Sequence, residues 1–212
     1  AGLSGNVLTL TPALDFNGTA TITITVTDNG APVASDSASF VLTVDEVNDA
    51  PVIDDIAAQE MDEDTTLDIA LSASDVDDGD ILVYSASSDN VAVTAEVLGD
   101  VLTLTPALDF NGTATITVTV DDQVTRLTDT DTFVLTVNAV NDAPVMAAIA
   151  DTTTLEEVAL ELLLSATDVD AGDVLDYSAS SDNVNVTAGL SGNVLTLTPA
   201  LDFNGTATIT IT

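Results

Sequence analysis

The chain has 212 residues, of which 36 are Asp or Glu and one, Arg126, is basic, for a formal charge of −35. That sign excludes nucleic acid and anionic membrane surfaces as partners, and no apolar run approaches the ~18–20 residues of a membrane span, which excludes membrane insertion. There is no cysteine to make a disulfide framework or a thiolate metal site, and aromatics at 3% leave the core to Val, Leu, Ile and Ala.

Internal repetition comes before any single element, because it sets the unit of folding. Residues 1–25, AGLSGNVLTLTPALDFNGTATITIT, recur letter for letter as residues 188–212, and with drift as AEVLGDVLTLTPALDFNGTATITVT at 95–119. The stretch Val47-Asn48-Asp49-Ala50-Pro51 returns 93 residues later as Val140-Asn141-Asp142-Ala143-Pro144. An Asn-Asp pair ahead of a proline suits a joint better than an element interior, since proline has no donor and drives the preceding residue extended. The joints divide the chain into residues 1–48, the C-terminal part of one repeat, 49–141, a complete repeat, and 142–212, the N-terminal part of a third. The chain is thus expected to be a slice of a longer array.

Within the complete repeat the pattern has a period of two. Ala114, Ile116, Val118 and Val120 alternate with Thr113, Thr115, Thr117 and Thr119, which is a strand pattern. Seven such runs fit in the unit, at about 52–57, 65–71, 81–87, 91–97, 101–105, 113–121 and 132–138. They are separated by turn residues such as Asp78-Gly79-Asp80, Gly99-Asp100 and Asn111-Gly112. Residues 155–164, LEEVALELLL, are good helix formers. Their counterparts Leu67, Ile69 and Leu71 alternate with Asp68 and Ala70, and Leu160, Leu162 and Leu164 keep that alternation, so a strand is expected there too. Seven short strands per unit predict an all-β fold of tandem immunoglobulin-like, seven-stranded β-sandwich repeats of about 93 residues. Strung head to tail with proline-marked joints, such units make a rod.

The VNDAP joint, the Asp-Val-Asp triplets Asp75-Val76-Asp77 and Asp168-Val169-Asp170, the LDFNG block and the TVTD strand end resemble cadherin-like repeats, in particular the bacterial cadherin-like and VCBS-type repeats of large secreted adhesins. The resemblance covers the whole chain. It implies that calcium held by acids from two neighbouring repeats stiffens each joint. Carried over, the first joint would use Asp15 from the preceding repeat, Asn48 and Asp49 from the linker, and Asp75, Asp77 and Asp122 from the following one. The second would use Glu63, Asp109, Asn141, Asp142, Asp168 and Asp170. The linker here lacks the family's second Asn. Asn17, Asn111 and Asn204 replace the Glu of its Leu-Asp-Arg-Glu motif, and Glu46 at the first joint is Ala139 at the second, which points to one or two ions per joint rather than three.

Elementary chemistry agrees. Calcium takes six to eight hard oxygens in flexible geometry, and Asp-x-Asp puts two carboxylates on one face of an extended segment. The acids comprise 29 Asp against 7 Glu, a skew toward the carboxylate of turns and calcium loops, whereas a merely solvated or salt-adapted surface accepts either. Asn17-Gly18-Thr19 and its copies read as turns or as glycosylation acceptors. Phe16, Phe110, Phe203, Tyr84 and Tyr177 recur at repeat-equivalent positions, as core plugs would. With no His, Cys or Lys, catalysis has no support beyond paired carboxylates, and an enzyme is not expected. The expected role is a calcium-stabilised extender in an extracellular or cell-surface adhesin or fibre, with neighbouring repeats as partners and self-association into fibres as a further possibility. The alternative is an extracellular module that itself grips carbohydrate or a partner protein.

Overall fold

The computed structural model describes residues 1–77, 79–124 and 126–212; Asp78, read above as part of a turn, lies outside them. Among the described residues every helix or strand element is a strand. The chain divides into two compact units, Ala1–Asn138 and Ala139–Thr212.

The first unit begins with two hairpins. β1 (Gly2–Ser4) pairs with β2 (Val7–Thr9), and β3 (Gly18–Thr27) pairs with β4 (Ser35–Val44). The complete repeat follows, with β5 (Val52–Ile53), β6 (Gln59–Asp62), β7 (Leu67–Ala70), β8 (Ala73–Ser74), β9 (Val83–Ser88), β10 (Val93–Leu98), β11 (Val101–Pro106), β12 (Gly112–Asp121) and β13 (Thr128–Asn138). One sheet runs β10-β11-β7 and the other β6-β13-β12-β9, while β5 pairs with β8. The first strand of the sandwich is broken into β5 and β6 and the second into β7 and β8, so the expected seven strands are present.

The period-two pattern becomes burial directly. Ile116, Val118 and Val120 of β12 are fully buried, as are Leu102 and Leu104 of β11 and Leu135 of β13. The alternating threonines of β12 face away from this core and are exposed or half-buried. Each buried aliphatic side chain contributes about 1.5–3 kcal/mol relative to exposure. The break between β5 and β6 lets the first strand leave one sheet for the other, and its backbone amides need acceptors there. Asp129 Oδ2 accepts from Ile53 N at 3.1 Å and Asp131 Oδ2 from Ile56 N at 2.7 Å. β6 then runs parallel to β13, from Leu135↔Gln59 to Asn138↔Asp62.

Two turns of the complete repeat depend on positive φ. Leu98 pairs with Val101 across the two-residue loop Gly99-Asp100, and Gly99 has φ 66°, the first-position glycine of a II′ hairpin. In Ala107-Leu108-Asp109-Phe110, Phe110 N donates to Ala107 O at 3.1 Å and Asp109 has φ 54°. Positive φ at the third residue is the type II arrangement, and Asp tolerates it better than bulkier residues.

The second unit contains β14 (Val145–Met146), β15 (Leu160–Leu163), β16 (Ala166–Thr167), β17 (Ala179–Ser181), β18 (Val186–Ser191), β19 (Val194–Pro199) and β20 (Ile209–Ile211). β15-β19-β18 form a sheet, and β14-β16 and β17-β20 form pairs. Leu164, Leu195 and Leu197 are its buried core, with Tyr177, Ile209 and Ile211 packed against them. The helix-forming run resolves into strand over Leu160–Leu163, in register from Leu160↔Leu197 to Leu163↔Val194. Pairing to β19 overrides helix propensity there.

Candidate metal centre

β12 has a turn at each end, and the two ends gather different acids. Asp121 pairs with Thr128 at one end and Gly112 with Val137 at the other.

At the first end the linker meets the loops after β8 and β12. Asn48 Nδ2 donates to Asp122 Oδ2 and to Asp49 O, both at 2.7 Å. Asp49 N donates to Asp77 Oδ2 at 2.7 Å, and Asp77 N to Asp75 Oδ1 at 3.1 Å. The structure thus brings Asn48, Asp49, Asp75, Asp77 and Asp122 together at this end. Asp122 is fully buried and Asp77 is 8% exposed. Asp80 joins them: one ligand oxygen each from Asp75, Asp77 and Asp80 lie within 4.8 Å of one another. Sequence reasoning missed Asp80, although Gly79-Asp80 recurs as Gly172-Asp173 and that recurrence was a usable signal. Asp15 sits on an exposed turn with φ 55°, and none of the acidic groupings among the described residues includes it.

The electrostatics of this end are uneven. Burial would push the Asp122 carboxyl up, yet hydrogen bonds from Asn48 and from the backbone of Arg126, Val124 and Leu127 bring it below the ordinary carboxylate value. Asp80 has no such help. Its own burial, then the charges of Asp75, Asp77 and Asp122, push it up. Among the described residues, Asp75 Oδ2 and Asp80 Oδ2 are both buried with no hydrogen-bond partner. Buried carboxylate oxygens left unpartnered are costly in the absence of a cation.

The other end of the repeat collects Glu63, Asp64, Asp109 and Asn111. Glu63 is 4% exposed, its N–H donates to Asn138 O at 2.9 Å, and Asn111 Nδ2 stands 3.5 Å from its Oε2. Asp109 N donates to Asp64 Oδ1 at 3.0 Å. The expected Glu63 and Asp109 are thus neighbours within this unit. Asp64, which has φ 59°, was not foreseen.

The second unit copies the first end of the complete repeat almost atom for atom. Asn141 Nδ2 donates to Asp142 O at 2.8 Å, Asp142 N to Asp170 Oδ2 at 2.7 Å, and Asp170 N to Asp168 Oδ1 at 3.0 Å. Ligand oxygens of Asp168, Asp170 and Asp173 again lie within 4.8 Å of one another. Two copies built by the same hydrogen bonds make this geometry a property of the repeat. The donor set is hard oxygen throughout, which suits calcium or magnesium and not the softer transition metals. With these oxygens unpartnered among the described residues, the cluster of Asp75, Asp77 and Asp80 could hold such an ion.

An all-β sandwich with linker-proximal acidic ends defines a class, the tandem immunoglobulin-like repeat. More specifically, the chain belongs to the bacterial Ig domain family, whose profile matches residues 48–138 and 141–212. No curated protein matches the chain. Similar solved structures include a protocadherin gammaB7 EC3-6 cis-dimer, 22% identical with a TM-score of 0.48 over 91% of this chain and 54% of that one. Drosophila N-cadherin EC1-4 is 15% identical with a TM-score of 0.47, over 92% and 53%. An endo-fucoidan hydrolase of glycoside hydrolase family 107 is 16% identical with a TM-score of 0.38, over 95% and 34%. The chain therefore spans about half the length of the two cadherin chains and a third of the hydrolase.

Proposed function

We propose that these are calcium-stabilised structural repeats of a large bacterial surface or secreted adhesin, displayed outside the cell, whose ordered joints hold successive sandwiches as a stiff extender. One observation carries this reading: Asp75 and Asp80 each bury a carboxylate oxygen that has no hydrogen-bond partner among the described residues, beside Asp77 at the point where the linker enters the repeat. At the first joint the ligands are Asn48, Asp49, Asp75, Asp77, Asp80 and Asp122, with Asp15 contributed by the preceding repeat. At the second they are Asn141, Asp142, Asp168, Asp170 and Asp173, with Glu63 and Asp109 from the complete repeat. An ion taking oxygens from both sides of a linker couples the orientation of the two repeats, whereas mutual repulsion leaves a metal-free joint loose.

The test is calcium titration and chelation followed by thermal melting and small-angle scattering. Calcium raises the melting temperature and lengthens the particle, and chelation reverses both. Monovalent salt screens the repulsion without bridging the repeats, so it rescues the melt only in part. A chelated chain that melts and scatters like the calcium-loaded one refutes the reading.

A further inference from the structure

The LDFNG turn carries a chemically labile pair. Asn followed by Gly is the dipeptide whose side-chain amide is most open to attack by the next backbone nitrogen, because glycine puts no side chain in the way. At residue 112 glycine is imposed by the fold. Gly112 has φ 144°, and a Cβ there would meet the Phe110 ring at 3.3 Å. Gly205 repeats this with φ 156° and 3.0 Å to Phe203. An L side chain at that φ is strained and also crowds the ring, which would have to give by a few tenths of an ångström. The lability of the preceding asparagine is thus built into the turn. Asn111 is solvent-exposed, and its side-chain amide is held only loosely, by the long 3.5 Å approach of Nδ2 to Glu63 Oε2.

We propose that Asn111 is a spontaneous deamidation site that adds a carboxylate to the Glu63 end of the repeat and so tightens its hold on a divalent cation. Gly112 N attacks Asn111 Cγ, the new C–N bond closes a succinimide, and the side-chain nitrogen leaves as ammonia. Water then opens the ring at one of its two carbonyls, leaving an aspartyl or isoaspartyl residue. No oxidant, cofactor or enzyme is consumed. The product replaces an amide donor facing Glu63 with an anionic oxygen, which adds to the group of Glu63, Asp64 and Asp109. Without a cation the change is repulsive. With one, it supplies a further hard ligand. The age of the molecule would then set the calcium affinity of the joint. This consequence rests on the cation reading above; the deamidation itself does not.

The two are separable by experiment. The folded chain and a urea-unfolded sample are incubated at mildly alkaline pH, then labelled with protein isoaspartyl methyltransferase and mapped by peptide mass. The folded chain is expected to acquire label and the amide-to-acid mass change at residue 111, and Asn111→Gln to acquire neither there. If the unfolded chain converts at 111 and the folded one does not, the turn protects the pair and the proposal is overturned. Calorimetric titration of Asn111→Asp with calcium is expected to show one class of sites tightened about tenfold, or ~1.4 kcal/mol, together with a lower metal-free melting temperature. If the unmodified chain binds calcium and Asn111→Asp binds it no tighter, the affinity effect is refuted. If neither chain binds calcium, the cation reading fails with it, and labelling at 111 still decides the modification.

Discussion

Replacing Asp80 with asparagine should move the metal-free and the calcium-loaded protein in opposite directions. Ligand oxygens of Asp75, Asp77 and Asp80 lie within 4.8 Å of one another. Two full charges at that separation, such as Asp75 and Asp77, repel by about 3.5 kcal/mol at an effective dielectric near 20. Asp80 adds a third charge and, among the described residues, takes no compensating hydrogen bond at Oδ2, so Asp80→Asn relieves repulsion and raises the metal-free melting temperature. Calcium acts the other way. At a free concentration a hundredfold above its dissociation constant, an ion stabilises the unmutated repeat by about 2.7 kcal/mol. At about 4–8 °C per kcal/mol for a domain of this size, that is a shift of about 10–20 °C. Asparagine offers a neutral oxygen in place of a charged one, so the calcium shift should fall to less than half. Differential scanning calorimetry with calcium and with chelator reads both effects. If Asp80→Asn lowers the metal-free melting temperature and keeps the full calcium shift, Asp80 is a structural acid and the cation account of this end is wrong.

Arg126 is the one tryptic site in the chain. Its N–H is held by Asp122 Oδ1 at 2.9 Å, and Asp122 in turn by Asn48. Calcium should slow cleavage at Arg126-Leu127, and Asn48→Ala should speed it, as the ratio of 1–126 fragment to intact chain by mass spectrometry would show. The Asp89 carboxyl lies below its ordinary value because Thr115 donates to it, the backbone N–H at 2.7 Å. A depressed carboxylate contributes stability above the unfolded value of 3.8 that is lost as pH falls through the folded value. Asp89→Asn should therefore flatten stability against pH between about 5 and the acid limit, measured by urea midpoints. Val120→Ala should cost about 2 kcal/mol, since Val120 is fully buried. Its repeat counterpart Val26 is 69% exposed, and Val26→Ala should stay within about 0.5 kcal/mol by the same assay.

Much of the site was legible because its pieces are local in sequence. Asp-Val-Asp and Asn-Asp-Ala-Pro are short motifs, and their 93-residue return marks them as parts of one unit. Asp80 was legible only through the return of Gly79-Asp80 as Gly172-Asp173, and Asp64 was not legible as a ligand. Asp64 stands among several acids with nothing local to single it out, and only the Asp109 amide arriving from 45 residues away selects it. The break of the first strand into β5 and β6 was hidden for the same reason. Its acceptors, Asp129 and Asp131, lie 76 and 75 residues downstream.

The two copies of the 25-residue block divide the labour between sequence and tertiary structure. Both copies form the same tight hairpin, with Gly5 and Gly192 at φ 59° and the pairs Ser4↔Val7 and Ser191↔Val194, and both place Asp in the left-handed region, at 55° in Asp15 and 52° in Asp202. Those features are decided within a few residues, by which side chains tolerate positive φ. Strand length and burial differ between the copies, although every letter is the same. Residues 18–25 are strand throughout, paired along their length with β4, whereas in 205–212 strand is confined to Ile209–Ile211, opposite β17. Leu195 is fully buried under its second sheet, and its twin Leu8 is only half-buried. The sequence by itself determined the alternation, the turns and the acids that recur. Which residues became strand, core or ligand cluster was decided by the tertiary structure, because a strand's hydrogen bonds and an apolar face's burial exist only when another segment supplies the other half.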